Sequence, residues 1–491
     1  MKLFTLITTL MAFQMSQAEN SITIYSGNHQ GHLNQDQLQN VHNIAGFAVV
    51  KQVKETTFKK GQFNLAFDDV AEHIDPTTVS FSLPNNPNAA SVLDQNFQFD
   101  LVSSDKLLQK YLDQTITVNH NLGEQNINTK GTLLSTAGGL TLATSNNQIT
   151  TIQNWNQIQF PELPGGLLTK PTLVWLLDSN TNNKETIELT YQTKGMTWWS
   201  DYIINLKDTE SECSMDMTSW VTIVNKSGAS FPETQLKLIA GDVNRAKSNV
   251  RTNNMVRETF AKTADNQFSE QSLFEYHLYK LPRKIDLPNN ATKQIQMLQK
   301  THAIKCDKTL RFNGSQQSSI NYHRPITDQN YLSRNEAKVE AFLSFKNSTK
   351  NKLGIPLPAG RVRVNSVDHA DGSLEFIGED NIDHTANNKT ITLKLGNSFD
   401  VTGARKQSHY ELNKNSITEQ FEITIDNQKD AVQQVEVYEP LYRWSNWVIT
   451  HHTAKYEKSN ASMIKFNLEV AAKSSKTIVY TVQYQWPDIQ K

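Results

Sequence analysis

The densest group of chemically capable side chains in this 491-residue sequence is Glu379, Asp380, Asp383 and His384. Carboxylates beside an imidazole can ligate a divalent cation or divide the work of acid and base. Four such residues in one short stretch are also what a solvated turn contains. They are kept as weak metal or acid–base candidates; no catalytic residue is assigned and no cofactor is expected. Asp400, Arg405 and Lys406 form a second, weaker group. Asp178-Ser179-Asn180-Thr181-Asn182-Asn183 begins like a calcium loop, but Asn183 stands where glycine is needed and Leu189 where the closing glutamate belongs, which leaves a hairpin turn. His451 and His452 are neighbours on a predicted strand, so they point to opposite faces and do not chelate together. Phosphate loops, GxSxG elbows and HExxH helices are absent.

Aromatic residues gather at Gly195-Met196-Thr197-Trp198-Trp199 and again at Tyr202. Two readings stand: a bent corner of the core, which is favoured, or a ligand platform of Trp198, Trp199 and Tyr202. Burial of these rings, and of Trp444 and Trp447, separates the two. Arg361 and Arg363 share one face of a predicted strand and Val362 and Val364 the other, so the arginines pair with acidic neighbours or bind an anion.

Lys2, the apolar stretch Leu3 to Phe13 and the small residues of Ser16-Gln17-Ala18 read as a signal peptide over residues 1–18. Eleven apolar residues are too few to cross a bilayer, and no later stretch qualifies. Export is expected, to the periplasm or beyond it. In an oxidising compartment Cys213 and Cys306 are either bonded or two buried thiols; the disulfide is favoured, and closing such a loop is worth about 4–5 kcal/mol in the chain-entropy model. There is no CxxC pair to suggest redox catalysis.

The charges nearly cancel, 48 Lys+Arg against 49 Asp+Glu, so the chain has no field with which to hold nucleic acid. Asn and Gln together number 82, which makes the surface polar through amides more than through charge.

The elements that must position these residues are strands. Phe63, Leu65 and Phe67 alternate with polar residues, as do Phe421, Ile423 and Ile425. The same holds for Ile464 to Val470 and for Ile478 to Trp486. One helix is predicted, Asp105 to Leu112, capped by Ser104. The expected fold is all-β and multidomain. An N-terminal β domain (residues 19–160) contains the helix and, from Thr115 to Phe160, a small barrel-like part. A Pro-rich joint at 160–171 follows, then two β-sandwich-like domains at 172–336 and 337–487. Residues 246–272 read as an insertion without a clear period. A transmembrane barrel is disfavoured because Leu173 to Leu177 (LVWLL) is apolar on both faces.

Several stretches in order resemble one family of exported bacterial proteins. They include IDPTTV at Ile74 to Val79, LTYQTKGMTWWSDY at Leu189 to Tyr202, and WVTIVNKSGASFPETQLKLIAGDVN at Trp220 to Asn244. LGIPLPAGRVRV at Leu353 to Val364, FIGEDNIDHT at Phe376 to Thr385 and LGNSFDV at Leu395 to Val401 complete the series. The chain resembles proteins with the domain of unknown function 4139, some of them grouped as mucoidy-inhibitor-like. The resemblance implies an exported β-rich protein with no established activity, and it carries no catalytic residue. The long coiled-coil arm that such members often have before the domain is not visible.

Three functions follow as expectations. The first is an interaction or scaffold module that docks on an envelope protein through sheet edges or loops, its oligomeric state open. The second is a hydrolase of envelope glycan or polymer centred on Glu379 to His384. The third is a carbohydrate-binding module that uses exposed tryptophans.

Overall fold

The computed structural model describes residues 20–27, 33, 35–146, 148–208, 212–241, 243, 269–273, 276–315, 324–368 and 370–487. The signal peptide expected at 1–18 lies outside them, as do residues 246–268 of the expected insertion. Residues 269–272 belong to the strand Ser269–Leu273. The chain is all-β and multidomain, and the alternating runs are strands: Gly61–Phe67, Ser416–Asn427, Met463–Val470 and Ser474–Gln485. The expected helix is Ser104–Lys110, and its cap is Ser103, whose hydroxyl accepts from the Lys106 N–H at 3.3 Å. Leu108 and Tyr111 are buried, but Leu112 lies past the last turn and is exposed.

The first two sheets cross the joint at 160–171. A seven-stranded sheet runs in the order Ser269–Leu273, Tyr276–Leu287, Phe231–Ala240, Ser21–Ser26, Gly46–Thr57, Lys184–Thr193, Ile74–Ser82. A three-stranded sheet, Gly61–Phe67, Thr172–Ser179, Ala90–Gln98, contributes to the same core. The division between 19–160 and 172–336 is therefore not a division between sheets. Gly61–Phe67 and Ala90–Gln98 have no ladder with each other, and Thr172–Ser179 lies between them with Leu173, Trp175 and Leu177 fully buried. The turn at 178–183 is a correction of the same kind. It joins strands of two different sheets and does not close a hairpin.

Residues 115–159 form a sheet of their own, ordered Gln157–Gln159, Thr115–Leu122, Gln125–Ser135, Leu140–Thr144, Ile149–Ile152. The barrel expected here does not close, because no ladder joins the first of these strands to the last. The helix explains why. Its Leu108 and Tyr111 cover Ile116, Val118, Leu133 and Leu142, the face that a barrel would have to bury against itself.

A thirteen-stranded sheet carries the rest. Its two 23-residue strands, Ala291–Asn313 and Thr390–Leu412, run through successive cores. Ala291–Asn313 contributes Ile295 and Met297 to the first core, Leu298, Ile304 and Cys306 to the second, and Phe312 to the third. Thr390–Leu412 contributes Ile391 and Leu393 to the second and Val401 to the third. Residue 336 thus marks no sheet boundary either. At one end the strand Leu374–Ile382 curls back, and Asp380 Oδ2 accepts from the Lys394 N–H at 2.8 Å.

Candidate functional site

Of the candidate residues Glu379, Asp380, Asp383 and His384, the first two point apart. Glu379 and Asp380 are successive strand residues and face opposite ways. Glu379 lies 3.5 Å from Arg363 Nε, whereas Asp380 accepts from the backbone N–H groups of Asn381 and Lys394, each at 2.8 Å. His384 Nδ1 accepts from the Ala359 N–H at 3.0 Å, which puts a neutral ring's proton on Nε2. Among the described residues no three His, Cys, Asp or Glu side chains come together as a metal site. What the sequence clusters here, the strand separates. Arg361 and Arg363 pair with acids, at 3.5 Å from Asp201 and Glu379, while Val362 and Val364 enter the core.

The aromatic platform is closed. Trp198, Trp199 and Tyr202 are 2 %, 7 % and 1 % exposed. Trp198 Nε1 donates to the carbonyls of Ile24 and Ile239, and Tyr202 OH donates to that of Pro358 at 2.7 Å. Trp199 Nε1 donates to Asp201 Oδ2 at 2.9 Å. The bend before them requires glycine: Gly195 has φ of +79°, and a Cβ there would sit 2.6 Å from the Lys226 carbonyl oxygen. Trp444 and Trp447 are half-buried, and Trp447 Nε1 donates to the Ala461 carbonyl at 2.9 Å.

Cys213 and Cys306 are bonded, with sulfurs 2.01 Å apart, on two strands whose ladder pairs the adjacent Ser214 and Lys305. The bond borders a cleft of about 490 Å³ that Glu212, Lys305, Asp307, Lys346 and Lys350 also line. On the same strand as Cys213, the buried Asp216 carboxylate meets Lys207 at 2.8 Å and His302 at 2.9 Å, and accepts from the Ala303 N–H at 3.3 Å. Burial pushes this carboxyl up, but the three donors together outweigh it and hold the group below its ordinary value.

The largest charged cluster lies inside the C-terminal core. Arg405 Nε donates to Glu439 Oε2 at 2.8 Å and Arg443 Nη2 to Glu419 Oε1 at 2.7 Å, with all four side chains closed to solvent. Tyr480 OH also donates to Glu439, at 2.6 Å, and the Arg405 guanidinium sits 3.6 Å over the Phe421 ring. Burial alone would lower the Arg405 pKa; the Glu439 charge more than reverses that, so Arg405 stays charged. Gly314 packs against this pair, and a Cβ there would lie 1.5 Å from Glu439 Oε1. With no opening to solvent, the cluster has structural chemistry only. Asp400 and Lys406, grouped with Arg405 by sequence, are not among its charged partners. Sequence reasoning missed the cluster, yet a signal existed. Glu419 occupies the inward register of Ile417, Phe421 and Ile423, and Glu439 that of Val435 and Val437.

Where large apolar side chains meet solvent is the remaining question. The strand Ala90–Gln98 lies at the rim of its sheet, and no described strand pairs with its outer edge. Val92 and Leu93 are exposed on it, and Phe99, just beyond, is 65 % exposed while stacking on Phe97 with ring centroids 5.7 Å apart. A register shift pairs Val92 with Leu177 and Asp94 with Leu176, leaving Leu93 without a cross-strand partner. An unpaired edge bearing apolar residues is a template for another chain. Among the described residues, no helix is long and apolar enough to cross a membrane.

Long strands shared by successive β cores define an all-β, multidomain protein. Residues 187–488 match the family described as domain of unknown function (DUF4139), well over half of the chain, and the protein belongs to that family. No curated protein matches the sequence.

Proposed function

We propose that this protein is an exported interaction module of the cell envelope, one that holds a polypeptide partner along the outer edge of Ala90–Gln98. The observation that supports it most is the apolar character of that edge. Val92 and Leu93 on the strand, and Phe99 and Val102 just beyond it, are exposed. Main-chain groups along the strand supply hydrogen bonds for an added strand, and these side chains supply the apolar contact. The sequence of the first eighteen residues supports export, and a disulfide fits an oxidising compartment. The hydrolase reading draws less support, because Glu379, Asp380 and His384 each have a local partner.

The test is affinity isolation of tagged protein from gently solubilised envelopes, comparing wild type with the double variant Leu93→Glu/Phe99→Glu. The proposal expects a stoichiometric partner with wild type and its loss with the variant, at unchanged thermal stability. A partner retained by the variant would move the interface elsewhere. A self-association abolished by the same substitutions would make the partner a second copy of this chain.

A further inference from the structure

From the face that the five-stranded sheet turns away from its core, we infer a second binding site, for an uncharged glycan. The inward residues of this sheet pack under the helix, and its other face takes no part in that core. That face carries Thr117, Asn119 and Asn121 on one strand, in register with Lys130, Asn128 and Asn126 on the next. Asn119 Nδ2 donates to Asn128 Oδ1 at 2.7 Å, while Asn156 Nδ2 donates to Asn119 Oδ1 at 3.1 Å and to Asn121 Oδ1 at 3.0 Å. The amides are thus held in fixed orientations across two strands and the segment beside them. Each side-chain amide has two donors and two acceptor lone pairs. Asn119 has spent one of each, and among the described residues the Asn156 side-chain oxygen has no hydrogen-bond partner. Such a row matches hydroxyl groups, which also both donate and accept.

Trp155 precedes Asn156 and is 40 % exposed, in contrast to the buried Trp175, Trp198 and Trp199. Among the described residues its indole N–H has no hydrogen-bond partner. An exposed indole offers a flat apolar surface to the C–H face of a sugar ring, with a polar handle at its rim. Charge narrows the ligand further. Lys130 is the one ionisable residue among the paired outward positions 117–121 and 126–130, so nothing here assembles the cationic field that a phosphate or uronate polymer requires. A neutral polyhydroxylated chain fits. This site is independent of the Ala90–Gln98 edge.

Affinity electrophoresis of the full-length protein in native gels tests it, with dextran, mannan, mixed-linkage β-glucan or glycol chitin as the probe and heparin as the polyanion control. Retardation is expected in at least one neutral polysaccharide, weakened at least tenfold in dissociation constant by Trp155→Ala and less by Trp155→Phe. Asn119→Ala should weaken the same interaction, and circular dichroism identifies any variant that has lost its fold. The Leu93→Glu/Phe99→Glu variant should be retarded like wild type, which separates this site from the protein-docking edge. Wild type unretarded in every neutral gel, retardation unchanged by Trp155→Ala, or retardation by heparin alone would overturn the inference.

Discussion

At the scale of single residues, the two buried ion pairs are where a conservative change costs most. Removing one partner leaves an uncompensated charge in a dry core, a loss of about 3–5 kcal/mol, whereas apolar replacement of both partners is often close to neutral. Glu439→Leu alone should therefore unfold far below wild type in urea, and Arg405→Met/Glu439→Leu should recover most of the difference. Equal destabilisation by single and double variants would contradict the pairing. Asp216 contributes a pH dependence of stability. Its folded pKa lies below its ordinary value of 3.8, so the stability it contributes is complete above about pH 4 and is lost as the pH falls through the folded value. Asp216→Asn should lower the melting temperature at pH 7, and the gap from wild type should shrink below pH 4. A gap that widened on acidification would reverse the sign of this account. Of these residues, the sequence showed Arg405 only beside Asp400 and Lys406, because the acids that matter, Glu419 and Glu439, come from other strands.

Among elements, strands were legible and their partners were not. Phe421, Ile423 and Ile425 announce a buried face in their own alternation, since period two is a local property. Which strand lies beside which is set by packing between distant segments. That is why Thr172–Ser179, apolar on both faces, could be read as core but not as the centre of a sheet formed with residues 61–67 and 90–98. Within the candidate group Glu379 to His384, strand geometry turns the sequence neighbours Glu379 and Asp380 to opposite faces. The Asn119, Asn128 and Asn156 amides are the reverse case, distant in sequence and hydrogen-bonded in space. The cysteine pair offers a direct test of the pairing between Cys213–Asn225 and Ala291–Asn313. A single proteolytic cut between residues 213 and 306 should leave the fragments joined on a denaturing gel until a reductant is added. The Cys213→Ser/Cys306→Ser variant should lose about 4–5 kcal/mol in the chain-entropy model. Fragments that separate without reductant would exclude the bond in the protein as isolated.

For the whole molecule, the shared strands decide how the parts behave. Ala291–Asn313 supplies side chains to three cores, so loss of one core is expected to disturb its neighbours. What such a frame offers is a rigid presentation of edges and faces. The account rests on one of them, the edge of Ala90–Gln98, as the place where a polypeptide partner binds. The most direct measurement places a photo-crosslinking amino acid at Leu93 or Phe99 in living cells, with Glu457, exposed in the C-terminal half, as the control position. A discrete crosslinked species at Leu93 and Phe99, absent at Glu457, is the predicted result. No crosslink at either edge position, or the same species at all three, would contradict the claim that this edge is the docking surface.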